Sequence, residues 1–156
     1  MIGLYILFKE MNSHQITVIL NSNPETRKIF KGCFPCNSIP MNGLEKSISI
    51  VNLDPEGMKG THWITIFANF NKVYYFDSLA LPISTCIFNS FLKNFPNIIH
   101  NFSPYQSPIA ETCAHHCISL TYFLSQGLTF EEYLRMLNTK QNPDLFVVKV
   151  VNKLIK

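Results

Sequence analysis

No stretch of this chain holds the run of about 18 apolar residues that spans a bilayer, so no membrane partner is expected. The apolar start, MIGLYILFKE, lacks the basic lead-in and the small-residue cleavage site of a secretory signal. It reads as a short strand or a terminal packing segment. Charge is scarce as well: 15% of residues are charged and the net balance is +3, too small to argue for a nucleic-acid partner. Lys149, Lys153 and Lys156 fall at helical spacing and read as one solvated face. Repeats and low-complexity tracts are missing, which excludes a solenoid or a disordered tail. The five cysteines are an odd number without an export signal, so reduced thiols in an intracellular compartment are expected.

What the chain does have is apolar substance. It has 156 residues, 47% of them hydrophobic, and residues 1–156 read as a single globular domain with room for a core. Asn12 or Ser13 caps a short helix, HQITVILNS. Asn23-Pro24 breaks it, and PETRKIF continues as a helical turn or two with Pro at the first position. KGCFPCNSIPMNG packs two glycines and two prolines into thirteen residues and reads as loop. SISIVNL alternates β-branched residues and predicts a strand. Asp54-Pro55-Glu56-Gly57 is turn chemistry, extended by Gly60. HWITIFANF and KVYYFDS, joined at Asn71-Lys72, predict an antiparallel hairpin in the sheet centre. A helix opened at 84–86 carries Ile87, Phe88, Phe91 and Leu92 on one side and ends around Pro96. IIHNFS is a further strand. Gly127 stops one helix, Thr129 with Glu132 is a capping box for FEEYLRML, and Asn142-Pro143 opens a last helix, though its valines leave a strand open. The class is α+β: a small antiparallel sheet packed by helices.

The stretch 106–124, QSPIAETCAHHCISLTYFL, supplies the chemistry. Ser107-Pro108 keeps its start out of helix. The remainder is apolar almost all round, the mark of a buried central helix. Thr112 sits at the cap position, which puts Cys113 in the first turn. Unpaired N–H groups and the positive end of the helix dipole there favour a thiolate. A thiolate nucleophile needs a base and a group to orient it. His62 opens one hairpin strand and Asp77 closes the other, so the two meet at one edge of the sheet. Gln106, seven residues before Cys113, is placed to donate its amide to a developing oxyanion, beside the Cys113 N–H. His116 is the alternative base, but only Glu111 lies near it in sequence. His115 and His116 therefore read as rings that fill space behind the site, Cys117 as core, and His14 and His100 as structural or exposed. Cys33-x-x-Cys36 suggests a redox pair, against which the intervening Phe-Pro and the absence of a following helix argue, or half of a zinc site, which needs Cys113 and Cys117 or the two histidines to complete it.

Together GTHW…YYFDS…QSPIAETCAHHC resembles the adenovirus-type (adenain-like) processing proteases. More distantly it resembles the ubiquitin-like-protein proteases. The match covers residues 30–124, and FKGCFPCNSIP is similar to the segment ahead of the core in these proteins. The resemblance implies a papain-like, ubiquitin-like-protease-type cysteine proteinase with its nucleophile on the central helix. It assigns His62 as base, Asp77 as its partner, Gln106 as oxyanion donor and Cys113 as nucleophile, with Trp63 lining the substrate cleft unless it is plain core. It implies no metal or organic cofactor and a polypeptide substrate such as a viral structural precursor. The setting implied is host cytoplasm, nucleus or virion. Ala114 stands where the family usually has Gly, and Asp77 where the adenovirus branch often has Glu. No cysteine lies shortly before Gln106, so a disulfide-linked activating peptide is not implied; a non-covalent peptide or nucleic acid stays open. Two rivals are a deconjugase of a ubiquitin-like modifier and an inactive or zinc-stabilised interaction domain.

Overall fold

A computed structural model describes residues 10–41, 45–54 and 62–155. The apolar start of the chain and most of the turn expected at 54–60 lie outside the described residues. The first two helices follow their caps. Asn12 and Gln15 form a reciprocal capping box for α1 (Ser13–Ser22). Asn23 then ends that helix and caps α2 (Pro24–Ile29), accepting the N–H groups of Glu25 and Thr26.

Five strands form one sheet in the order β1-β2-β3-β4-β5. They are β1 (Phe30–Pro35), β2 (Ser47–Asn52), β3 (Trp63–Asn69), β4 (Lys72–Phe76) and β5 (Asn97–His100). The expected hairpin is there: β3 pairs antiparallel with β4, and β2 pairs antiparallel with β3. The two outer pairs, β1 with β2 and β4 with β5, are parallel, so the sheet is mixed. A parallel partner has to be reached by a crossover. For β5 that crossover contains α3 (Thr85–Ser90) and a 3-10 turn, Leu92–Asn94.

The loop expected at 31–43 is corrected at its start, where β1 forms. Glycine and proline argue against an inner strand, but an edge strand ladders on one side only and tolerates them. The register slips between Phe30 and Gly32, Gly32 takes φ 143°, and Pro35 ends the strand. A second correction concerns the thiols. Cys36, just past β1, and Cys86, on α3, are joined in a disulfide, so not all five cysteines are reduced. The third concerns Phe88, expected on the buried side of its helix: it is exposed while Ile87, Phe91 and Leu92 are buried. The helix ends at Ser90 and the backbone breaks at Phe91 (φ −140°), which rotates the apolar set out of a single stripe.

Period-two alternation sorts the sheet's side chains into two cores. Trp63 and Phe67 of β3, with Tyr74 and Phe76 of β4, face the larger core. That core is closed by α1, α2, α4 (Cys113–Ser125), α5 (Phe130–Asn138) and α6 (Pro143–Leu154). Ile64 and Ile66, with Val73 and Tyr75, face the smaller one under α3. Burying each such side chain is worth about 1.5–3 kcal/mol. A charge at Ile64 or Phe67 would therefore break the middle of the sheet. The valines of α6 pack helically, Val147 and Val151 one turn apart in the larger core. The thirteen residues of α4 are buried on nearly every face, against β3 on one side and α2 and α6 on others. Its length and surroundings hold Cys113 at a fixed point over the sheet edge.

Candidate active site

The β3–β4 register, with Thr65 opposite Phe76, brings residue 62 and residue 77 to the same end of the hairpin. His62 Nε2 lies 2.6 Å from Asp77 Oδ1. Both are buried, at 8% and 2% exposed, and a buried carboxylate has to be compensated. Asp77 Oδ1 also accepts the Leu79 N–H at 2.9 Å, and Oδ2 accepts the Leu81 N–H at 3.2 Å. Asn101, just past β5, accepts the Asp77 N–H at 2.9 Å and donates to the Asp77 carbonyl at 2.7 Å. Each polar atom of Asp77 thus has a partner, which fixes the carboxylate and, through it, the imidazole.

Cys113 lies near the same ring and acts on its proton affinity. Burial by itself would lower the His62 pKa. The hydrogen bonds to Asp77 and Cys113 and the negative charge near them outweigh burial and raise it to about 9. The ring therefore holds its proton at neutral pH. The other two free thiols sit in different surroundings. Burial pushes Cys33 up to about 11 and Cys117, one turn below Cys113, well above the ordinary thiol value.

Cys113 opens α4, and Thr112 stands at its cap position without capping it. Gln106 is buried three-fold. Its backbone N–H donates to the Ser78 carbonyl at 3.0 Å, its side-chain oxygen accepts the Ser78 hydroxyl at 2.6 Å, and its amide nitrogen donates to the Ala110 carbonyl at 2.6 Å. One of its two amide hydrogens is thereby engaged inside the chain. Because Ser78 follows Asp77 directly, the strand end that holds the imidazole also holds Gln106. Trp63 packs in the same core as Cys113, its indole N–H donating to the Met11 carbonyl at 3.2 Å. The structure thus pairs His62 with Asp77, sets Cys113 near the same ring and ties Gln106 to the strand end that carries Asp77.

Three residues of this network escaped the sequence reading. Ser78 and Asn101 were reachable in principle, one as the neighbour of Asp77 and the other as the residue past the strand paired with β4. Asp144 was not. It lies in the first turn of α6, where an acid reads as a partner for the helix dipole, yet it binds His116 Nε2 at 2.9 Å and the Thr112 hydroxyl at 2.6 Å. The carboxylate that His116 lacked in sequence is supplied from there. Among the described residues no group of three or more His, Cys, Asp and Glu is placed to hold a metal ion. Cys36, half of the zinc pair suggested by the sequence, is bound to Cys86 instead. No described helix is long and apolar enough to cross a membrane.

No protein-family model and no curated protein sequence matches the chain. Solved structures do. The SUMO protease Ulp1 with its catalytic cysteine oxidised to a sulfenic acid aligns over 95% of this chain and 83% of its own, at TM-score 0.53 and 15% identity. The sulfinic acid form aligns over 92% and 79%, at TM-score 0.51 and 14% identity. A protease of ASFV aligns over 72% of this chain and 44% of its own, at TM-score 0.46 and 16% identity, a likeness too weak to carry an argument. The chain has the α+β fold of the Ulp1-type cysteine proteases, a five-stranded sheet packed by helices.

Proposed function

We propose that residues 1–156 form a cysteine peptidase domain with Cys113 as nucleophile, His62 as proton shuttle, Asp77 as its orienting partner and Gln106 as oxyanion donor. The observation that carries this is the buried His62–Asp77 pair at 2.6 Å, with Cys113 at the start of α4 near the same imidazole. The thiolate sulfur attacks the scissile carbonyl carbon, and the oxygen becomes an oxyanion met by the free Gln106 amide hydrogen and first-turn N–H groups of α4. Collapse breaks the C–N bond, and the amine leaves with the proton from His62. Water, giving its proton to His62, then attacks the thioester and returns Cys113 as the leaving group. No metal or organic cofactor takes part in this scheme.

The substrate is a polypeptide. The sequence resemblance supports a processing endopeptidase of the adenain type, as a virus or virus-like element uses to mature its precursors. A second reading, removal of a ubiquitin-like modifier, is favoured by the fold shared with a SUMO protease at TM-score 0.53. Alkylation with iodoacetamide followed by peptide mapping tests the chemistry: Cys113 reacts first, and preferential labelling of Cys33 or Cys117 sinks the assignment, as does cleavage by a Cys113→Ala variant. A modifier with a Gly-Gly tail and an electrophilic terminus separates the two substrates, since coupling to Cys113 occurs only for the deconjugase.

A further inference from the structure

Residues 107–112 join Gln106 to Cys113, and one carboxylate fastens both ends of that loop. Asp144 Oδ2 accepts the Ser107 N–H at 2.9 Å; its Oδ1 accepts the Thr112 hydroxyl at 2.6 Å and binds His116 Nε2 at 2.9 Å. The partners lie 28 to 37 positions away in sequence, so this is a tertiary clamp laid by α6 across the head of α4. His116 is fully buried, and Asp144 is the only hydrogen-bond partner of its ring among the described residues. Inside the loop, Gln106 holds the Ala110 carbonyl at 2.6 Å.

The clamp has a second effect. A Thr at the cap position ordinarily turns its hydroxyl to accept an N–H from the second or third helical residue. Here Thr112 spends that hydroxyl on Asp144 and caps nothing. At the first helical position the Cys113 N–H has no intrahelical partner, and the Thr112 hydroxyl is turned to Asp144 and not to the first turn.

Resting on the proposed function, we infer that Asp144 is a positioning residue for acylation of Cys113. It holds the 107–112 loop and, through Thr112, the head of α4, which keeps the Gln106 amide and the Cys113 N–H placed for the oxyanion. Asp144 touches no reacting atom; it acts through Ser107, Thr112 and His116. In an Asp144→Asn variant an amide N–H₂ replaces one acceptor oxygen and faces donors. The loop and the head of α4 are released, and the two oxyanion donors lose their fixed spacing.

Two small probes read this without knowledge of the natural substrate. With p-nitrophenyl acetate, the Cys113 sulfur bonds to the acetyl carbon through an oxyanion and p-nitrophenolate leaves with the C–O electron pair. With iodoacetamide, the sulfur displaces iodide from carbon and no oxyanion forms. For Asp144→Asn the acylation rate should fall about 10- to 100-fold. Alkylation at Cys113 should change less than about threefold, because the thiolate and His62 are untouched. Thr112→Val, nearly isosteric, should lower acylation in the same selective way, and Thr112→Ser should restore it. Circular dichroism of each variant checks the fold. Equal losses in both reactions would make Asp144 mere cement and overturn the inference, as would an unchanged ratio in both Asp144→Asn and Thr112→Val. Should wild-type Cys113 react with neither probe, the peptidase reading itself falls, a result distinct from either of these.

Discussion

Replacing Asp77 by Asn should flatten the dependence of stability on pH between 6.5 and 9. In the folded protein, burial alone would lower the His62 pKa, yet the bonds to Asp77 and Cys113 carry it from 6.5 to about 9. Each tenfold change in proton affinity is worth about 1.4 kcal/mol, so a rise of that size corresponds to about 3 kcal/mol. The sign follows from the direction. The folded pKa lies above the unfolded one, so this stabilisation is complete below pH 6.5 and is lost as pH rises through 9. Inside that window the wild-type protein should lose about 1.4 kcal/mol per pH unit at the steepest. The Asp77 hydrogen bond is the largest of the effects that raise the value, so Asp77→Asn should remove more than half of the slope. It should also lower stability at pH 6 by about 2–4 kcal/mol, because a buried imidazolium loses its counter-charge. Urea unfolding followed by circular dichroism at half-unit pH steps from 6 to 9.5 measures both effects. Running it also in a Cys113→Ala background isolates the Asp77 part, since Cys113 too raises the His62 value. The same slope with Asn at position 77 as with Asp would refute the reasoning, and so would a flat wild-type profile.

Other expectations are more direct. Reduction of the Cys36–Cys86 bond, which closes a loop of 50 residues, should lower unfolding free energy by about 4 kcal/mol in urea titrations with and without dithiothreitol; an unchanged midpoint speaks against the bond in solution. In timed alkylation, Cys33 and Cys117 should lag behind Cys113 by at least about tenfold at pH 7, because burial keeps both thiols protonated. Gln106→Ala should lower kcat about 100-fold with little change in KM on any cleavable peptide, whereas a loss confined to KM would place Gln106 in binding and not in the oxyanion site. Tyr133→Phe removes a buried hydroxyl that donates to Ser119 at 2.9 Å and should cost about 1 kcal/mol in the same unfolding assay while leaving Cys113 alkylation unchanged.

The helices were legible because their signals are local. Asn12 with Gln15, Asn23 before Pro24, Thr129 with Glu132 and Asn142 before Pro143 each satisfy backbone groups within three or four residues, and each cap is where the side chains imply. The central hairpin was legible for the same reason: two apolar runs joined by a short turn have few other ways to pair. The 31–43 stretch misled because glycine and proline report the cost of a strand and not its position. At the edge of a sheet that cost is small, and the neighbour that recruits β1 is only settled once β2 has paired with β3. The Cys36–Cys86 bond was hidden likewise, since bonding needs a Cα separation, here 5.8 Å, that composition does not contain.

The same divide runs through the site. Residue types and order were enough to nominate His62, Asp77, Gln106 and Cys113, since a sulfur at a helix start, an imidazole and a carboxylate at the two ends of one hairpin and an amide ahead of the sulfur are local patterns. Their surroundings came from elsewhere in the chain. Asn101 reaches Asp77 from the end of a parallel strand, Ser78 ties Gln106 to the strand end that carries Asp77, and Asp144 crosses from the last helix to hold Thr112 and His116. Local order can specify which groups are brought, because short-range turns and caps depend on neighbours along the chain. The hydrogen bonds that hold those groups still are made between segments far apart in sequence, and only packing of α6 and β5 against the rest decides them.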